Sequence, residues 1–154
     1  MPCTGLRKKS RQGLGWDARE EALEWLLEAA NSIVTFRARY RRAPELLPVL
    51  HLVVFDETNP HAVAFQLREL PDHLERTAAE LGGAVMGAAL GPLAKALRGM
   101  SLAGFEPEGG AALEAACVDL ARLLDAARAA AFGLSDELQR RFFTHAGTPA
   151  PLGV

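Results

Sequence analysis

Ser32–Leu67 reads SIVTFRARYRRAPELLPVLHLVVFDETNPHAVAFQL, and the fold class turns on how its middle is taken. Val49–Phe55, VLHLVVF, is a short apolar run that periodicity alone assigns equally to a buried strand or a buried helix. The rest of the chain decides, because no other segment reads as a good strand. Hydrophobic residues make up 49% of the chain and aromatic residues only 6%, with Ala and Leu dominant, which suits helix-on-helix packing. A short helix is therefore expected from Glu45 to about Phe55, with Pro48 tolerated in its first turn. Ala43-Pro44 ends the preceding helix, since the residue before proline is pushed out of the helical region. Asp56-Glu57-Thr58-Asn59-Pro60 then forms a turn, with Asn59 expected to cap the next helix and Pro60 to occupy its first position.

Working outward, Asp17 offers an N-cap with Glu20 at the capping-box position, so the first helix is expected to start there and to run without a break to Ala43. Its apolar residues Leu23, Trp25, Leu26, Leu27, Ile33, Val34 and Phe36 cover a wide arc, which implies burial on two sides. After the turn, Val63, Leu67, Leu70, Leu74 and Leu81 carry a helical phase across Pro71, where a kink is expected, and Gly82-Gly83 closes that helix. A short helix follows over Pro92–Arg98, then a mobile stretch, FEPEGG, at Phe105–Gly110. Two last helices are expected, Ala111 to about Phe132, with Cys117 on its packed face, and Ser135–His145. The reading is all-α, a bundle of about five to six helices forming the C-terminal portion of a larger bundle. One domain spans 17–146, between a disordered basic segment at 1–16 and a disordered tail at 147–154.

The formal net charge of −2 supplies no positive field for a nucleic-acid backbone, so nucleic acid is not an expected partner. Cys3 and Cys117 show no metal or redox spacing, which fits a reducing, cytoplasmic setting. The basic N-terminus lacks the apolar run of a signal peptide. Gly87, Gly91, Pro92 and Lys95 interrupt the Ala-rich segment, and no membrane span is expected.

The residues that could carry chemistry gather in the opening stretch. Arg37 and Arg41, four apart with Tyr40 beside them, could clamp a phosphate or carboxylate. Equally, cations at a helix C-terminus complement its dipole, worth about 0.3–1 kcal/mol each. Asp56 could make an Asx-type turn bond or a buried pair with Arg37 or Arg41. The candidate ligand-binding set is thus Arg37, Tyr40, Arg41, Asp56 and Asn59. His51, His61, His73 and His145 have no paired spacing, so no metal is expected, and no phosphate loop or nucleophile elbow is present. No catalytic residue and no cofactor is assigned.

Three ordered motifs, Ser32–Tyr40, Phe55–Leu67 and LSDELQRRFFTHA at Leu134–Ala146, resemble the bacterial alpha-E domain, an all-helical family named for an E-R motif. The family's first pattern resembles Ser32, Thr35, Phe36, Arg37, Arg39 and Tyr40 of this chain. Its second resembles Asp56, Asn59, Pro60, His61 and Ala62, and its last resembles Phe142, Phe143 and His145. Phe36, His61 and Ala62 stand where the family usually has Tyr, Arg and Ser. The resemblance spans roughly Leu23–Ala146 and implies a C-terminal part of the domain, since Glu75-Arg76 lies in the wrong region to be the E-R motif. It further implies an accessory role beside an ATP-grasp-type ligase acting on peptide-like substrates. The expected partner is that enzyme, an N-terminal half of the domain or a second copy; the alternative is a small enzyme or anion-binding domain built on the Arg/Tyr/Asp cluster.

Overall fold

The first helix, α1, spans Gly13–Ala29, and α2 spans Ile33–Tyr40, so the single long helix expected there is two. The break is a Schellman closure. The Ser32 N–H donates to the Leu27 carbonyl at 2.7 Å and the Asn31 N–H to the Glu28 carbonyl at 2.9 Å, with Asn31 left-handed at φ 49°. Asn accepts that conformation at small cost, and the paired bonds satisfy carbonyls that a helix end leaves open. At the front, α1 begins before Asp17. An acidic residue in the opening turns suits the helix dipole whether or not it caps, and as a start marker Asp17 is about one turn late.

The computed structural model describes residues 13–81, 87–106 and 109–143. The chain divides into two compact units, Met1–Val63 and Ala64–Val154. In the first unit, α1 packs on α2 and on α3, Leu46–Leu50, which continues as a wider π-helical turn over His51–Phe55. The helical reading of Glu45–Phe55 thus holds, although its second half is wound more loosely. Pro48 lies in the opening turn of α3, where its missing N–H removes no intrahelical bond. The buried apolar side chains of this unit are Leu23, Leu27, Phe36, Val49, Leu52, Val53, Val54 and Ala62. Trp25 is 69% exposed and Val34 77% exposed, so the wide apolar arc is buried on one side only.

The second unit holds α4, Val63–Leu81, from its second residue on, α5, Leu90–Gly99, and α6, Ala111–Leu138, the last followed by a π-helical turn over Gln139–Phe143. On α4 the stripe Ala64, Leu67, Leu74, Ala78 is buried, and the helix runs through Pro71, which sits in phase with that stripe. The Gly82-Gly83 stop falls outside the described residues, as do the tail and residues 1–12. On α5, Leu90, Ala94 and Leu97 face inward; the helix opens two residues earlier than expected, and Pro92 again falls in a first turn. A 3-10 turn, Leu102–Phe105, leads toward α6, and both it and α5 pack on α6. Phe105 is fully buried, so the stretch expected to be mobile begins with a core anchor.

α6 is one helix where two were expected. Leu120, Leu123 and Leu134 are buried, and half-buried Leu113, Ala116, Ala127, Ala130 and Leu138 extend the same stripe at spacings of three and four. The stripe stays in phase across Gly133, and continuous packing outweighs the ~1 kcal/mol that a mid-helix glycine costs. Cys117 is exposed, not on the packed face. Among the described residues there is no strand, and no helix is long and apolar enough to cross a membrane.

Candidate functional site: a polar joint in the first unit

On α2, Phe36 is fully buried, and the positions three and four later, Arg39 and Tyr40, share its face. The Tyr40 ring lies 4.8 Å from that of Phe36, centroid to centroid. The tyrosine hydroxyl meets His51 Nδ1 at 3.0 Å, at the first residue of the π-helical turn. The contacts of α2 with the Leu46–Thr58 stretch thus lie on the side of Phe36.

Arg39 pairs with Asp56, which corrects the expected pairing of Asp56 with Arg37 or Arg41. Arg37 instead reaches the exposed Glu24 at 3.3 Å. Arg41 has left the helix with φ 52° and ψ 34°, so the four-residue spacing that should have aligned it with Arg37 no longer applies. Three polar residues of α2 reach neighbouring segments: Arg37 at the surface, and Arg39 and Tyr40 beside Phe36; Arg39 belongs to the first motif, yet a spacing of four between arginines does not pick it out. The signal that finds it is its distance of three from Phe36.

Asp56 is buried. Its Oδ1 accepts from the Thr58 N–H at 2.8 Å and the Thr58 hydroxyl at 2.6 Å, and its Oδ2 from Arg39. The Asx-type turn bond and the ion pair therefore both form. Burial pushes the carboxyl pKa up, but the Thr58 hydroxyl, the Thr58 N–H and Arg39 together outweigh it and hold the group at about 2. The pairing raises the Arg39 pKa, chiefly through its hydrogen bond to Asp56. A carboxylate satisfied in this way is charged at any neutral pH.

Asn59 departs from its expected role as a helix cap. Two successive turns, closed by Asn59 N–H to Asp56 carbonyl and Ala62 N–H to Asn59 carbonyl, delay the start of α4 to Val63. The buried Asn59 side chain donates to the Leu52 carbonyl at 2.8 Å and to Ser32 Oγ at 3.3 Å, while its Oδ1 accepts from the His61 N–H at 3.2 Å. The Leu52 carbonyl needs that donor because the chain turns extended at Asp56 and the winding stops. Ser32 passes the chain on, donating to the Ala30 carbonyl at 3.0 Å. Ala62, standing where the family usually has Ser, is fully buried, and an alanine there leaves no hydroxyl to satisfy.

The joint thus gathers Ser32, Arg39, Tyr40, His51, Asp56, Thr58 and Asn59. Of the candidate set, Tyr40, Asp56 and Asn59 belong to it; Arg37 and Arg41 are exposed outside it. Ser32, Arg39, His51 and Thr58 are added by the fold. Among the described residues no buried side-chain nitrogen or oxygen lacks a partner, and no group of three or more His, Cys, Asp or Glu is gathered to hold a metal.

Residues 3–143 match the model of the Alpha-E family, described as a predicted alpha-helical domain with a conserved ER motif. The match begins about twenty residues before Leu23, the expected start of the resemblance. Glu75 and Arg76 both lie exposed on α4. No match was found among curated proteins or among solved structures. With residues 3–143 of the chain matched, and with Ser32, Arg39, Tyr40, Asp56 and Asn59 of the first two motifs gathered in the joint of the first unit, the chain belongs to the Alpha-E family.

Proposed function

We propose that this Alpha-E domain is a helical accessory module that docks on a protein partner, an ATP-grasp-type enzyme that ligates or modifies peptide-like substrates. One observation carries the non-catalytic part of the reading: the polar residues of the joint bond one another. Asp56, held at about 2, is a poor proton acceptor at neutral pH, and its hydrogen-bonding positions are already used by Thr58 and Arg39. General acid–base catalysis favours a group that titrates near the working pH. The partner class rests on the family resemblance. The test is to assay the purified chain for ATP turnover, alone and then mixed with an ATP-grasp enzyme that ligates peptide-like substrates. Expected are no turnover alone, co-elution with the enzyme and a changed ligation rate. Turnover of ATP or an amide by the chain alone overturns the proposal.

A second reading keeps Arg37, Tyr40, Arg41, Asp56 and Asn59 as the site of an anionic ligand. The observation in its favour is Arg41, exposed at the end of α2 with no side-chain partner among the described residues. Replacing Arg37 and Arg41 by Ala separates the two: loss of phosphate or carboxylate binding with unchanged melting supports an anion site, and unchanged binding refutes it.

A further inference from the structure

We propose that the outer face of α1 is a docking surface for a cationic amphipathic helix of a partner protein, an inference that rests on the accessory-module reading and names the chemistry of its partner. Among the residues of α1 whose burial is described, Leu23 and Leu27 are buried and fix its inner side. At about 100° per residue, Trp25 projects diametrically away from their midline. It is 69% exposed.

The surroundings of Trp25 are ordered. Ala18, Ala22 and Ala29, all exposed, continue from Trp25 as one apolar strip, while Glu21 and Glu28, four before it and three after, form an acidic strip along its other side. Both carboxylates are exposed, and neither makes an ion pair among the described residues. A solvated outer face interleaves charge around the helix, whereas this one separates apolar from acidic. The matching surface carries large apolar side chains in one strip, to fill the space above the alanines, and Lys or Arg in the next. A helix with those two strips offers both at once. Tryptophan in such a position is the residue type that most often dominates an interface when it is desolvated.

The probe is a labelled Leu/Lys amphipathic peptide matched in length to the 17 residues of α1, titrated with the full chain and read by fluorescence anisotropy, with a Leu/Glu twin as control. Expected are saturable binding of the Leu/Lys peptide that weakens with salt, no binding of the twin, and a loss of about tenfold or more on Trp25→Ala. Reversing Glu21 and Glu28 to Lys is expected to abolish binding of the Leu/Lys peptide and to transfer it to the twin. All these side chains are exposed, so circular dichroism should show unchanged helicity. Equal binding of both peptides, or no effect of Trp25→Ala, overturns the proposal. So does a concentration-dependent dimer in sedimentation that Trp25→Ala abolishes, which assigns the face to a second copy. If the Leu/Lys peptide fails while the chain still co-elutes with an ATP-grasp enzyme, the docking surface is refuted and the module reading stands. ATP turnover by the chain alone refutes the module reading instead.

Discussion

Replacing Asp56 by Asn removes one negative charge from the joint and leaves its shape and an acceptor oxygen in place. The carboxyl ordinarily titrates at 3.8 and is held at about 2 in the fold. At about 1.4 kcal/mol per pH unit, that difference makes the charged form worth about 2 kcal/mol to folding. The folded value lies below the unfolded one, so the unfolded chain takes up the proton first as pH falls. The contribution is complete above about pH 4 and disappears progressively toward pH 2. The side chain is only 6% exposed, so solvent screening takes little from that figure. The first unit can be followed through hydrogen exchange of the α2 and α3 amides, which pack with α1 around the joint. In urea titrations followed by far-UV circular dichroism, with hydrogen exchange assigning the transition to the first unit, Asp56→Asn should be less stable than the parent by about 2 kcal/mol at pH 7, with the gap closing between pH 4 and pH 2. Arg39→Gln should cost less than about 1 kcal/mol, since the guanidinium is itself 43% exposed and half-solvated pairs are weak. A gap that stays constant from pH 7 to pH 2, or one near zero at pH 7, would refute the assignment of Asp56 as a charged structural tie.

Asn59→Ala leaves the Leu52 carbonyl and the His61 N–H without their partner and should cost the first unit about 2–4 kcal/mol in the same urea assay. Asn31→Gly should be neutral or stabilising and Asn31→Ala destabilising by about 1 kcal/mol, because the position is left-handed at φ 49° and glycine accepts it without strain; thermal melts decide. Gly87→Ala should destabilise the second unit by more than about 1 kcal/mol, read by hydrogen exchange of α4 and α5 amides. Its φ is 79°, and the added carbon would lie 2.6 Å from Leu74 Cδ1. Phe105→Ala, at a fully buried site, should cost about 3–5 kcal/mol and loosen the turn that packs on α6.

Much of the fold is legible locally. Leu67 and Leu74 on α4, Leu113 and Leu120 on α6, and the Pro48 and Pro92 first turns all announce helices through spacing and through what proline permits. The turn at Asp56–Pro60 is equally visible, because Asp and Asn bond their own backbone. The candidate site is legible as a neighbourhood rather than as a constellation: Tyr40, Asp56 and Asn59 are in it, but Arg37 and Arg41 are not, and Ser32, Arg39, His51 and Thr58 are required. Spacing from the buried Phe36, not spacing from one another, decides which arginine enters the joint.

By itself, then, the sequence determined that the chain is helical, roughly where each helix lies, and which short motifs tie it to its family, because helix propensity, apolar period and turn chemistry act over a few residues. Tertiary structure decided the rest. It split the first helix at Asn31, where a left-handed asparagine costs little and two closing bonds repay it. It kept α6 whole across Gly133, where in-phase packing outweighs glycine's entropy. It chose Arg39 for Asp56, turned Asn59 from a cap into a buried tie, and left Trp25 outside while Leu23 and Leu27 went in. A helix with apolar residues on more than one side carries no local instruction about which side is covered; only the segments that pack against it supply one.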